Sequence, residues 1–133
     1  ASEDETESLG LRHILNFGHT IGHAVEAATG YEGCSHGEAV AVGMVGEARL
    51  AVSLGLCTEG EAERLEGTIS SYGLPTSIEG IDPARIIELM GHDKKVSAGK
   101  WRFALPRGLG KSVVVSGPPM EAVLDAVKGV TRD

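Results

Sequence analysis

The spacing of hydrophobic and polar residues predicts a mainly α-helical chain. From Leu11 to Thr29 the chain has no proline and keeps helical spacing up to Gly30, a residue that suits the left-handed end of a helix. The segment that follows Ser35 is apolar or small on nearly all faces. We therefore expect a buried second helix that ends near Gly55.

Capping signals predict where the next helices start. Two S/T-x-x-E strings, which begin at Ser35 and Thr58, have the form of a capping box and start the second and third helices. Asp82 followed by Pro83 predicts the start of a fourth helix, because aspartate suits the N-cap and proline the first helical position.

The hydrophobic period then changes to that of β-strands. Residues 100–105 alternate and residues 112–115 are rich in valine, with a turn-like segment between them. This predicts one small β element near residues 100–115, followed by a last helix over residues 120–127. No repeat or linker divides the chain, so we expect a single domain over residues 1–133.

Composition excludes several classes of protein. With 12 Lys+Arg against 19 Asp+Glu, the net charge of −7 argues against nucleic-acid binding. No apolar run reaches the roughly 18–20 residues that a membrane span needs, and the acidic start is unlike a signal peptide. Two cysteines, Cys34 and Cys57, cannot form a disulfide framework. We expect them to be small packed residues in a cytoplasmic protein.

Four of the five histidines lie within residues 13–36. At about 100° per residue, four polar residues of the first helix lie within about 60° of one another: Arg12, Asn16, His19 and His23. Glu26 lies at the edge of this face. A solvated face is the alternative interpretation, but such a face more often carries lysine and glutamate.

An apolar stripe runs beside this face and includes glycines that let another helix approach closely: Leu11, Leu15, Gly18 and Gly22. Two antiparallel helices joined by residues 30–35 would bring His19 or His23 to His36, at the start of the second helix. The dipole there favours a neutral imidazole, the form that binds metal. The spacing allows a Zn²⁺ site but does not decide for it, since Glu38 is already explained by the capping box.

Two long motifs carry a resemblance to a known family. They are R-H-I-L-N-F-G-H-T-I-G-H-A-V-E, from Arg12, and H-G-E-A-V-A-V-G-M, from His36, and the similarity continues through Asp93-Lys94-Lys95 and residues 99–106. They resemble the signature of dehydroquinate synthase, a sugar phosphate cyclase. The resemblance implies the family's mainly helical C-terminal domain, the zinc- and substrate-binding part of a longer two-domain enzyme, without its N-terminal NAD-binding domain.

The resemblance also implies a reaction. It is the NAD- and zinc-dependent conversion of 3-deoxy-D-arabino-heptulosonate 7-phosphate to 3-dehydroquinate and phosphate, a lyase step of the shikimate pathway of aromatic amino acid biosynthesis, by a cytoplasmic homodimer. Matching positions imply these roles: zinc ligation by His19 and His36, substrate contact and proton transfer by His23, carboxylate binding by Arg12, and phosphate binding by Asn16, Lys94 and Lys95. On pattern alone, the lysine pair is either an anion-binding loop or a solvated turn.

Some departures from the family pattern bear on activity. The family's third zinc ligand, a glutamate near an E-V-I-K string, has no match here, and Glu7 matches another acidic residue at a spacing one residue longer. We therefore expect weak zinc binding and no turnover by the isolated chain. The alternatives are a deoxyinosose or epi-valiolone synthase, or a non-catalytic helical module. We also expect the apolar second helix to leave an exposed patch and cause self-association.

Overall fold

The computed structural model describes residues 19–30, 34–90, 102–108 and 111–132. These residues form helices with two small two-stranded sheets, which confirms the predicted class. In chain order the elements are α1 (His19–Ala28), α2 (His36–Ser53), α3 (Glu59–Ser71), β1 (Ile78–Glu79), α4 (Pro83–Met90), β2 (Arg102–Arg107), β3 (Lys111–Ser116), α5 (Met120–Val130) and β4 (Thr131–Arg132).

Helix α2 is the centre of the hydrophobic core. Helices α1, α3 and α5 and strand β2 pack around it, and α4 contacts α1 and α5. Its buried positions run almost without a break from Ala39 to Ala51. The exposed apolar patch expected on this helix is therefore wrong, because the described chain itself covers α2. Among the described residues, the exposed large hydrophobic side chains lie outside α2: Tyr72, Val114 and Met120.

The predicted capping signals are confirmed atom by atom. Ser35 and Thr58 are the N-caps of α2 and α3, and each forms a complete capping box with the glutamate three residues later. Asp82 accepts a hydrogen bond from the Ala84 N–H at 2.9 Å, at the start of α4. Gly55 follows α2 with a φ of 76°, the left-handed conformation expected of a helix stop.

Two features depart from the predicted boundaries. Helix α5 continues to Val130, three residues beyond the predicted end, and passes through Gly129. A Cβ at Gly129 would lie 2.8 Å from Arg49 Cδ, so the glycine lets α5 lie against the arginine side chain of α2. Strand β4 follows directly and pairs in parallel with β1, a contact that the sequence pattern did not predict.

The predicted β element is an antiparallel pair of β2 and β3, in which Phe103 faces Val115 and Leu105 faces Val113. Phe103 and Leu105 are fully buried against α2. The Cys57 thiol donates to the Pro106 carbonyl at 3.3 Å, and the Gly108 N–H donates to the Leu56 carbonyl at 3.1 Å. The segment after α2 thus holds the hairpin in place. Both cysteines are free and pack against the core, as predicted.

Candidate functional site

Close contact between α1 and α2 positions the histidine-bearing face. A Cβ at Gly22 would lie 3.2 Å from both the Ala39 carbonyl oxygen and Val40 Cα, so only glycine fits without a shift of backbone. Further along α2, Ile21 Cδ1 would lie 3.1 Å from a Cβ at Gly46. The contacts run in opposite directions along the two helices, so α1 and α2 are antiparallel, as expected from the short connection, and closely packed, as expected from the glycine stripe.

The capping box fixes the start of α2 next to this contact. The Glu38 N–H donates to Ser35 Oγ at 3.1 Å, and the Ser35 N–H donates to Glu38 Oε1 at 2.8 Å. Hydrogen bonds from the Ser35 backbone and side chain lower the pKa of Glu38 below its ordinary value of 4.5. Glu38 is therefore used in capping, and His36 is placed as the first residue of the helix.

Three polar side chains meet where α1 runs past the start of α2. The ring centroids of His23 and His36 are 6.3 Å apart, with an angle of 34° between the ring planes. Glu26 Oε1 lies 3.1 Å from His36 Nδ1. The expectation that a histidine of the first helix reaches His36 is thus confirmed for His23. The group combines two imidazoles with one carboxylate.

These donors suit a divalent metal, since imidazole nitrogen is a preferred ligand of Zn²⁺. Within residues 19–30, 34–90, 102–108 and 111–132, however, no three His, Cys, Asp or Glu side chains are arranged to hold a metal ion. The Glu26 carboxylate contacts the imidazole of His36 and does not complete a ligand set with it. Of the two predicted ligands, the structure describes the side chain of His36, which has a carboxylate neighbour at Nδ1.

The other predicted site residues fall elsewhere. His19 is the first residue of α1, one turn before His23, and its side chain is outside the described structure. Four more lie outside the described residues, so their predicted roles stay predictions: Arg12, Asn16, Lys94 and Lys95.

Sequence reasoning missed the contact between Glu26 and His36. Glu26 was placed only at the edge of the polar face, although it lies three residues after His23 and so projects from nearly the same side of α1. The signal was this spacing together with the antiparallel arrangement, which carries the end of α1 to the start of α2.

A separate cavity of about 300 Å³ lies between α2, α3 and α5, and it contains none of the predicted site residues. Its charged lining is mostly acidic: Glu59, Glu63, Glu66 and Asp125, with Arg49. Arg49 Nη2 lies 3.5 Å from Glu66 Oε1, so the Glu66 carboxylate already has a cationic partner.

The comparison with protein families identifies the chain. Residues 1–96 match the family described as 3-dehydroquinate synthase C-terminal. The chain belongs to this family. It is 52% identical to the 3-dehydroquinate synthase of Synechococcus sp., over 98% of this chain and 36% of that protein. It is 49% identical to that of Dehalococcoides mccartyi, over 95% of this chain and 35% of that protein. The chain spans about a third of the length of these curated relatives.

Solved structures of related cyclases share the fold. A 2-epi-5-epi-valiolone synthase from Streptomyces hygroscopicus with NAD⁺ and Zn²⁺ bound matches with a TM-score of 0.75 and 29% identity, over 86% of this chain and 32% of that one. A 2-deoxy-scyllo-inosose synthase complexed with carbaglucose-6-phosphate, NAD⁺ and Co²⁺ matches with a TM-score of 0.73 and 26% identity, over 86% of this chain and 34% of that one.

In the described part of the chain, no helix is long and apolar enough to cross a membrane.

Proposed function

We propose that this chain provides the metal- and substrate-binding part of a 3-dehydroquinate synthase. The observation that carries the proposal is the meeting of His23 and His36, with ring centroids 6.3 Å apart, on the helix pair that bears the family motifs. The relatives at 49–52% identity, named 3-dehydroquinate synthase, support this choice of reaction. The reaction would eliminate phosphate from 3-deoxy-D-arabino-heptulosonate 7-phosphate and close the carbocycle of 3-dehydroquinate.

The proposed roles are those that the family motifs imply for the matching residues of this sequence. His36 would be one metal ligand, with its ring held at the start of α2, and His19 would be another, one turn before His23. The exposed imidazole of His23 is close to His36 and would exchange a proton with a substrate hydroxyl. Arg12 would bind the substrate carboxylate through its guanidinium fork, and the phosphate would be bound by Asn16, Lys94 and Lys95.

Bound Zn²⁺, or another divalent metal, would polarise substrate hydroxyls as a Lewis acid, and NAD would take up and return a hydride. The named structural relatives hold NAD⁺ with Zn²⁺ or Co²⁺, which supports both groups for this chain. The residues described here offer imidazoles for metal but no glycine-rich dinucleotide-binding turn. NAD would therefore be bound mainly by the part of the relatives that this chain does not span.

The proposed setting is that of a cytoplasmic biosynthetic enzyme in the shikimate pathway. The substrate would be a small phosphorylated sugar acid, and the working enzyme would be a homodimer. A net charge of −7 supports a protein that binds neither nucleic acid nor a membrane surface.

A second candidate is another sugar phosphate cyclase of the deoxyinosose or epi-valiolone type. The TM-scores of 0.73 and 0.75 to such enzymes favour it as an alternative. Sequence identity of 26–29% to these two enzymes, against 49–52% to the 3-dehydroquinate synthases, ranks it below the first.

The test replaces the matching segment of the Synechococcus enzyme with this chain and measures phosphate release and 3-dehydroquinate formation, with NAD⁺ and Zn²⁺ present. We expect the chimera to turn over the heptulosonate phosphate and its His23→Ala and His36→Ala variants to lose turnover. We expect the 133-residue chain alone to release no phosphate.

Two results would contradict the proposal. A chimera that binds NAD⁺ yet releases no phosphate from the heptulosonate phosphate would favour a non-catalytic helical module. A chimera that consumes glucose 6-phosphate in preference would favour the deoxyinosose type of cyclase.

A further inference from the structure

The hydrogen bond between Glu26 and His36 defines which ring nitrogen carries a proton. Glu26 Oε1 lies 3.1 Å from His36 Nδ1, and an ionised carboxylate can only accept a hydrogen bond. The proton of the neutral imidazole must therefore be on Nδ1, and the lone pair must be on Nε2. We infer that Glu26 is a positioning residue that prepares His36 Nε2 to bind the metal ion. This inference rests on the proposed function.

The side chain of Glu26 is less exposed than the ring that it contacts. The side chain of Glu26 is 17% exposed, whereas that of His36 is 61% exposed. Glu26 stands near the end of α1, where the Thr29 hydroxyl donates to the Glu26 carbonyl at 2.9 Å. Gly22 lets α1 lie against the backbone of α2, so both partners are on helices in direct contact. Glu26 is thus the less exposed partner on the packed helix, and His36 is the group that it orients.

The contact with Glu26 limits the conformational freedom that an exposed histidine ligand would otherwise have. A ring that is 61% exposed would sample several rotamers and both tautomers, and only one combination directs Nε2 toward a metal. A carboxylate on Nδ1 selects that combination before the metal arrives. Loss of such a partner typically lowers metal affinity about 10- to 100-fold.

The first experiment reads the tautomer directly and needs no metal. ¹⁵N NMR of the imidazole nitrogens, in the 133-residue chain with neutral rings, should show the His36 proton on Nδ1. In Glu26→Ala it should move largely to Nε2, while Glu26→Gln should keep part of the Nδ1–H population because its amide oxygen still accepts. A His36 proton on Nε2 in the unaltered chain would overturn the inference.

The second experiment titrates the same chain with Co²⁺ and follows its visible absorption, with calorimetry for Zn²⁺. We expect Glu26→Ala to weaken metal binding about 10- to 100-fold and Glu26→Gln to weaken it less. Glu88→Ala is the matched control. It also removes one negative charge, from an exposed carboxylate on α4 that pairs with Arg85, and it should leave metal binding unchanged.

The two experiments separate this inference from the proposed function. Metal affinity that is unchanged in His36→Ala would contradict His36 as a ligand and, with it, the proposed metal site. Affinity that is lost in His36→Ala but kept in both Glu26 variants would overturn only the positioning role of Glu26. Circular dichroism of each variant should match that of the unaltered chain, and a loss of helix in Glu26→Ala alone would assign Glu26 to folding and also overturn the inference.

Discussion

At the scale of single residues, Gly22 determines how closely α1 approaches α2. A methyl group there would meet the Ala39 carbonyl and Val40 Cα at 3.2 Å, and both are backbone atoms of a buried helix that cannot move aside freely. Overpacking of this kind costs about 1–3 kcal/mol, which outweighs the gain in helix propensity of about 1 kcal/mol. We expect Gly22→Ala to lower the free energy of unfolding in urea.

Gly67 provides the matched control on α3. A Cβ there would meet nothing within 4 Å, so only the propensity gain remains. Gly67→Ala should raise the free energy of unfolding by about 0.5–1 kcal/mol. The same substitution is thus expected to have opposite signs at two helical glycines, and equal effects would contradict the close contact at Gly22.

Glu38 gives the chain a pH-dependent contribution to stability. Hydrogen bonds from Ser35 lower the folded-state pKa of Glu38 below 4.5, so its stabilising effect is complete above that value and is lost as the pH falls through the lowered pKa. Urea unfolding at neutral and acid pH should show that Glu38→Gln is less stable than the unaltered chain only at the higher pH. A stability difference that is independent of pH would contradict this assignment.

Residue spacing predicted the meeting of His23 with His36, and the reason is geometric. His23 and Glu26 project from neighbouring positions of one helix, which the 3.6-residue period makes visible in the sequence. The contact of Glu26 with His36 follows only when this period is combined with the antiparallel arrangement of α1 and α2, and its distance depends on how the two helices pack. The roles of Arg12 and Lys94 stay predictions, since both lie outside the described residues.

At the scale of elements, two equivalent capping boxes serve different parts of the fold. Ser35 caps α2 beside His36, and Thr58 caps α3 away from the site, with the same pair of hydrogen bonds. Ser35→Ala and Thr58→Ala should each lower the free energy of unfolding by about 1 kcal/mol. Only Ser35→Ala should also weaken Zn²⁺ binding in calorimetry, because it loosens the turn that carries His36. Equal metal affinity in both variants would contradict a link between this cap and the site.

Local signals explain which elements were predictable. The starts of α2, α3 and α4 follow from capping residues whose hydrogen bonds lie within three positions of one another. The pairing of β1 with β4 joins Ile78 to Thr131, and two-residue strands so far apart leave no periodic pattern. The last three residues of α5 were not predicted, and the structure continues the helix through Gly129, where the absent side chain leaves room for Arg49.

At the scale of the whole molecule, stability depends on attaching a β hairpin to a helical core. Phe103 on β2 is fully buried, whereas Val114 on β3 is 63% exposed. Truncation of a buried phenylalanine creates a cavity and typically costs about 3–5 kcal/mol. We expect Phe103→Ala to lower the free energy of unfolding by this amount, as measured by circular dichroism in urea. Val114→Ala should cost less than about 1 kcal/mol, and similar losses in both would contradict the packing of the hairpin on α2.

The burial of α2 also changes the expectation for the whole chain. An apolar helix suggests an exposed face, but α1, α3, α5 and β2 cover it. The expected self-association stays a prediction. The sequence shows that α2 is apolar on nearly all faces. It does not show which other elements cover those faces, because that depends on the tertiary structure.

The two native thiols, Cys34 and Cys57, can report local unfolding in two different parts of the chain. Burial raises the pKa of Cys57, whose thiol donates to the Pro106 carbonyl, so little of it is thiolate while the hairpin is closed. Cys34 lies instead in the connection between α1 and α2, with its sulfur 3.7 Å from the Thr29 hydroxyl. Alkylation rates followed by mass spectrometry should be slower at Cys57 and should rise there in mild urea as the hairpin separates from the end of α2. The alkylation rate of Cys57 therefore reports how often the hairpin separates from the end of α2, and that of Cys34 reports on the connection between α1 and α2. Both thiols are native, so no residue has to be introduced.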